Sequence, residues 1–185
     1  MTQPQPSGAP TSADDWIRIL DLHPHPEGGH YRQVYRATQI ITQANLPVHF
    51  AGDRAAATVI YFLLKEGEIS AFHRLQADEL WHFYMGCPLE IHVITLDGGY
   101  ECLELGLDVA NGQRPVQVIP GGVWFGACFK PSASTDESVP ASDRFTLIGC
   151  TVTPGFDFED FELAEQETLL QDFPRHHNII KQLTL

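Results

Sequence analysis

The residues best suited to chemistry lie between Gly67 and Gly86, where His73, Asp78, Glu79 and His82 fall within ten positions beside Trp81, Phe83 and Tyr84. An imidazole takes or gives a proton near neutral pH, and a carboxyl beside it can orient it or act as its counterpart. The pattern predicts a strand ending near His73 and a second beginning near Glu79, with Asp78 in the turn between them. Residues two apart on a strand share a face, so His73 groups with Leu75, and Glu79 with Trp81 and Phe83. His82, three after Glu79, faces the other way. A hairpin that joins an imidazole to a carboxylate beside aromatics makes an acid/base or ligand-binding pair.

A second polar segment, Pro24-His25-Pro26-Glu27-Gly28-Gly29-His30-Tyr31-Arg32, precedes the first long strand. Its glycines permit a tight bend. Glu27 and Arg32 either pair with each other or reach a ligand, for which the planar guanidinium fork suits phosphate or carboxylate. Trp81, Trp124, Phe83, Phe125, Tyr61 and Tyr84 fall on strands, where core and pocket wall can be one surface, and such rings could stack on a purine or a sugar face. His82 and His92 read individually as hydrogen-bonded structural histidines. The run Asp157, Glu159, Asp160, Glu162 reads as a solvated turn without a calcium-loop pattern.

The elements that must hold these residues are mostly short strands. Candidates are 31–39, 57–64, 70–74, 79–84, 89–96, 101–105, 115–119, 124–130 and 145–153, punctuated by glycines. Asp97-Gly98-Gly99 signals a hairpin. Many short strands without intervening helices predict an all-β antiparallel sandwich or jelly-roll barrel. Ser12 should cap a short N-terminal helix with Trp16, Ile17 and Leu20 on one face. Segments 163–173 and 175–183 read as two short C-terminal helices separated by Pro174. Residues 1–11 read as a disordered tail, 12–185 as one domain, and the polar segment 130–143 as a loop or a lid.

Of the 185 residues, 11 are Lys or Arg and 24 are Asp or Glu, a formal charge of −13 that would repel a phosphate backbone. Nucleic acid and membrane are therefore not expected partners, and a cytoplasmic location is expected in the absence of a signal-like start. Cys87, Cys102, Cys128 and Cys150 form no CxxC pair and read as thiols in a reducing compartment.

The chain resembles the cupin superfamily. Gly67, His73, Glu79 and Gly86 keep the spacing of its first motif, with Leu75 at the second histidine position. Pro120-Gly-Gly122-Val-Trp-Phe125 stands for the second motif, with Phe125 where the last metal-binding histidine would be. A closer likeness is to a small cupin subfamily labelled a domain of unknown function. It rests on Leu22-x-Pro24-His25-Pro26-Glu27-Gly28-Gly29-x-Tyr31-Arg32, Ser70-x-Phe72-His73-Arg74, Asp78-Glu79-x-Trp81-His82-Phe83-Tyr84, and Gly149-Cys150-Thr151-Val152-x-Pro154-Gly155-Phe156 with Phe158-x-x-Phe161. The likeness departs at Cys87 and in the length of the 130–143 loop.

The resemblance implies a jelly-roll barrel, a homodimer and an internal pocket for a small polar or anionic ligand such as a sugar, a sugar nucleotide or a purine. By analogy with metal-independent sugar-nucleotide epimerases, His73 would be the base, Glu79 or Asp78 its orienter, and Tyr84 or Tyr61 the acid. Glu27, Arg32, Trp81, Trp124, Phe125 and Tyr61 would bind the ligand. A non-catalytic binding protein is the alternative. A metal-dependent oxygenase or isomerase is the third reading, with His73, Glu79 and either His82 or His92 as ligands. Two ligands are too few for a usual catalytic zinc site, so no cofactor is favoured.

Overall fold

The computed structural model describes residues 12–129 and 144–185, so the expected tail and the 130–143 loop lie outside the described residues. Helix α1 (Ala13–Leu20) begins at Ser12, whose hydroxyl accepts the Asp15 N–H at 3.2 Å. The strands are β1 (His23–Pro24), β2 (His30–Arg36), β3 (Ile40–Ile41), β4 (Arg54–Ala55), β5 (Thr58–Lys65), β6 (Ser70–Leu75), β7 (Asp78–Gly86), β8 (Leu89–Ile94), β9 (Tyr100–Leu105), β10 (Val116–Ile119), β11 (Trp124–Phe129), β12 (Phe145–Thr153) and β13 (Phe161–Leu163). Helices α2 (Gln166–Asp172) and α3 (His177–Gln182) follow. Among the described residues no helix is long and apolar enough to cross a membrane.

Two antiparallel sheets face each other, in the orders β1-β2-β5-β12-β7-β10 and β13-β6-β11-β8-β9, with β3 and β4 a separate pair. This is the jelly roll the strand pattern predicts. Alternation drives it: inward Leu64, Trp81, Leu89, Ile91, Val93, Phe125 and Ile148 meet in one core, while the residues between them point outward. The Asp97-Gly98-Gly99 hairpin joins β8 to β9 as expected. The outer face of the five-stranded sheet, through Phe72, Ile94 and Cys128, packs against Leu169, Ile180 and Leu183 of the C-terminal segment. Helix α1 covers Leu63, Phe145 and Leu147 on the outside of the other sheet.

Two elements differ from the sequence reading. Strands β6 and β7 are not a hydrogen-bonded hairpin: β6 pairs with β11 and β13, whereas β7 pairs with β12 and β10. The turn at Asp78 is a corner between sheets, and Asp78 braces it by accepting the Gly121 N–H at 2.9 Å. The acidic run is not wholly solvated either. Asp160 is buried and holds Arg54 through two hydrogen bonds of 2.6 and 2.7 Å, with Phe161–Leu163 continuing as a strand beside β6.

Candidate functional site

One end of the barrel interior is not filled. A cavity of about 220 Å³ opens there between the two sheets. Its walls come from alternate positions of β2 (Tyr31, Gln33), β5 (Thr58, Ile60, Phe62), β6 (His73, Leu75) and β12 (Cys150, Val152), with Glu79 from β7. The loop residues His25 and Glu27 form one side, and Phe156, Phe158 and Phe161 line the mouth. Because β6 and β7 belong to opposite sheets, His73 and Glu79 face the same space from opposite walls.

Glu27 enters the barrel on a tight loop. The backbone N–H groups of His25 and Gly28 bond across it to Gly29 and His25, both at 3.0 Å, and the Glu27 carbonyl accepts the Ala71 N–H at 2.8 Å. Gly28 and Gly29 have φ of 108° and 65°, and a Cβ on Gly28 would collide with the Ile69 carbonyl oxygen. Only glycine lets the chain pass this close while turning. The buried carboxylate then meets three groups. The Ser70 hydroxyl donates to Oε1 at 2.8 Å, while His25 Nδ1 and His73 Nε2 lie 3.2 and 3.4 Å from Oε2.

The tautomer of His73 follows from its other nitrogen. Nδ1 is 2.8 Å from the Ala71 carbonyl oxygen, which can only accept, so Nδ1 carries the hydrogen and Nε2 presents a lone pair. Burial lowers the His73 pKa against the opposing pull of Glu27 and the Ala71 carbonyl. Burial would also raise Glu27, but the two imidazoles and Ser70 outweigh it and hold that carboxyl below its ordinary value. His73 and Glu27 are thus a coupled pair, in which the carboxylate favours a proton on Nε2 and burial opposes it. A proton arriving at Nε2 would be stabilised by Oε2 only 3.4 Å away.

Glu79 is the opposite case. Burial, and then repulsion from Glu27, push its carboxyl up to about 8. The nearby Trp81 N–H and Cys150 thiol offset only part of this, and Oε2 has no hydrogen-bond partner among the described residues. Glu79 is therefore a neutral carboxylic acid at pH 7, with one O–H to donate. Two carboxyls whose surroundings push their pKa values apart define a base side and an acid side of one cavity.

Of the residues singled out from sequence, His73, Glu79 and Glu27 converge. The others do not. Tyr84 lies on the outer face of β7, half exposed, with its hydroxyl where a Cβ on Gly149 would sit, and its ring meets Tyr61 edge-on at 6.2 Å. Five positions separate Tyr84 from Glu79, so strand alternation turns it outward. Tyr61 packs with the α1 cluster. Arg32 alternates with the inward Tyr31 and Gln33, and its guanidinium binds Asp21 at 3.1 Å and the Leu20 carbonyl at 3.1 Å outside the barrel. Trp81 and Phe125 are buried core rather than wall, although Phe125 supports the His73 ring at 4.1 Å. Trp124 faces outward beneath the Arg74 guanidinium.

Sequence reasoning missed His25, Ser70, Tyr31, Gln33 and the three mouth phenylalanines as site residues. The alternation count that turns Arg32 outward also turns Tyr31 and Gln33 inward. Phe156, Phe158 and Phe161 reach the cavity because the Arg54–Asp160 ion pair and the β13–β6 ladder fold their segment back over it.

The superfamily metal does not fit this donor set. Leu75 and Phe125 fill two of the histidine positions, and His73 Nε2 faces Glu27 instead. His82 points out of the barrel toward the Thr151 hydroxyl, and His92 lies on the outside of the other sheet, so neither completes a site with His73 and Glu79. His30 and His49 do not line the cavity.

Comparison with known proteins agrees with the architecture. A crystal structure of a Shewanella oneidensis protein is 40% identical, with a TM-score of 0.78, covering 94% of this chain and 98% of that one. A hypothetical protein from Leishmania major is 34% identical, with a TM-score of 0.81 over 94% and 98% of the two chains. An uncharacterised protein of Saccharomyces cerevisiae is 27% identical over 169 residues, 88% of this chain and 80% of its own length. Oxalate decarboxylase from Bacillus subtilis, at 14% identity and a TM-score of 0.50 over 89% of this chain and 38% of that one, shares the fold alone. The family described as Cupin superfamily (DUF985) matches residues 14–164, and the chain belongs to it.

Proposed function

We propose that the cavity binds a compact, largely uncharged ring compound, such as a free sugar or a purine-sized base, and moves a proton on it in an isomerase- or epimerase-type reaction. The observation that carries this reading is the neutral Glu79 carboxyl, buried with an unpartnered oxygen, facing the Glu27–His73 pair across the cavity. His73 Nε2 takes a proton from one face of the ligand, Glu27 stabilises the imidazolium, and Glu79 donates from the other face. Two features narrow the ligand. The volume of about 220 Å³ is below the roughly 300–1,000 Å³ of pockets that enclose drug-sized molecules. Among the described residues no Lys or Arg lines it, so none of them offers a cation to a diphosphate. The aromatic mouth suits a flat or ring-shaped body. The free thiols of Cys87, Cys128 and Cys150 support a reducing, cytoplasmic setting.

The test is a panel of free sugars, sugar lactones, purines and small oxo acids, screened by thermal shift and then incubated in D2O and followed by proton NMR. At least one compact ring compound raises the melting temperature and exchanges a carbon-bound hydrogen for deuterium. His73→Asn abolishes the exchange. Stabilisation without exchange would leave a binding protein. Equal stabilisation of wild type and of the His73→Asn and Glu79→Gln variants would remove the cavity from the account altogether.

A further inference from the structure

We propose that Glu90, His92, Cys102 and Cys128 bind a thiophilic divalent cation, of which Zn²⁺ is the expected example, on the outer face of the five-stranded sheet. Leu89, Ile91 and Val93 of β8 point into the core, so Glu90 and His92 share the opposite face. In the ladders His92 stands beside Cys102 of β9, and Glu90 beside Cys128 of β11. Three adjacent strands thus deliver an oxygen, a nitrogen and two sulfurs to one patch. The ligand atoms of Glu90, His92 and Cys102 all lie within 4.8 Å of one another. His92 Nε2 is 3.5 Å from Cys128 Sγ and 3.8 Å from Glu90 Oε2. A tetrahedral zinc with ordinary Zn–N and Zn–S bonds has an N···S edge of about 3.5 Å.

The surroundings are those of a ligand set. The Tyr100 hydroxyl holds His92 Nδ1 at 2.7 Å, which fixes the ring and leaves Nε2 for the cation. Gln182 of α3 donates to Cys128 Sγ at 3.7 Å, a contact that would support a thiolate. The thiols have no easier covalent alternative. They sit two strands apart, about 9.6 Å in the hydrogen-bonding direction, beyond the roughly 7 Å that a disulfide spans. Two sulfurs and an imidazole select against Ca²⁺ and Mg²⁺. Cys102 is exposed, which gives an ion its way in. A bound ion would clip β8, β9 and β11 together and tie α3 to them, on the side of the sheet away from the cavity.

Full-length protein, stripped with chelator under reducing conditions, is titrated with Zn²⁺ and separately with Co²⁺. One equivalent binds, Co²⁺ gives intense thiolate charge-transfer absorption, and Zn²⁺ raises the melting temperature. Cys102→Ser, at an exposed position that does not threaten folding, weakens Zn²⁺ binding at least about tenfold and diminishes the thiolate band. His92→Gln does the same to affinity, and His73→Asn changes neither. Stoichiometry well below one, no thiolate band, unchanged affinity in Cys102→Ser, or loss of binding in His73→Asn would each overturn the proposal.

Discussion

The two ends of the barrel interior are built by the same strands to opposite effect. At the closed end Trp81, Leu64, Leu89, Ile91, Leu105 and Ile148 are each 1% exposed or less. At the open end the next inward positions are Glu79 on β7, Ile60 and Thr58 on β5, and Cys150 and Val152 on β12, and they leave a cavity. One step of two residues along β7 moves from the core at Trp81 to the chemistry at Glu79. The site is thus made by withholding volume from part of a core, and its floor is that core, since Phe125 carries the His73 ring. A packed floor holds the imidazole in one orientation, which a catalytic group needs.

The comparison breaks most visibly if the closed end is emptied. Trp81→Ala should cost about 3–5 kcal/mol in urea unfolding, because the side chain is fully enclosed and its neighbours cannot collapse onto the space. Glu79→Gln, two residues away, should change stability by less than about 1 kcal/mol at pH 5, where burying a neutral amide differs little from burying a neutral acid. Similar losses in the two variants would mean that the open end is as closely packed as the closed one.

The mouth is the next lever. Arg54 is 2% exposed and held by Asp160 through both carboxylate oxygens, and its own pKa is raised chiefly by that hydrogen-bonded partner. Arg54→Ala leaves a buried carboxylate unpaired and should cost about 3 kcal/mol. Its second effect separates it from a simple core lesion. Phe158 and Phe161 lose the anchor of their segment, so ligand-induced thermal stabilisation should shrink in Arg54→Ala and persist in a variant of equal stability at the closed end, such as Ile91→Ala.

These contrasts also show which parts of the molecule are readable from one sequence. The position of the strands follows from alternation and glycine punctuation, and so does the inward direction of His73 and Glu79. Alternation alone turns Tyr84 and Arg32 outward, because each is offset by an odd number of positions from an inward neighbour; their assignment to a ligand rests on the family resemblance and not on that count. Glu27 is different, since no period governs a loop. Its entry depends on positive φ at Gly28 and Gly29 and on a tether to Ala71, which is 44 residues away. The three mouth phenylalanines depend on the pairing of Arg54 with Asp160, 106 positions apart, which charge composition does not reveal. The outer Glu90, His92, Cys102 and Cys128 patch spans three strands and leaves no short motif.

The smallest effect tests the electrostatics of the open end. In the folded chain the Glu79 carboxyl has a pKa of about 8, against 4.5 for an unperturbed one. Between those values the folded state keeps a proton that the unfolded state has released, so rising pH favours unfolding. The loss is at most about 1.4 kcal/mol per pH unit, absent below the unfolded pKa and levelling off above the folded one. Measured by urea unfolding, wild type should therefore lose about 1.4 kcal/mol relative to Glu79→Gln between pH 6 and pH 7, a difference that cancels the titration of groups not coupled to Glu79. A flat difference would mean that Glu79 is already ionised in the folded protein. The cavity would then hold two carboxylates and no acid, and the distinction between its two walls, on which proton transfer rests, would be lost while the packed end stayed as it is.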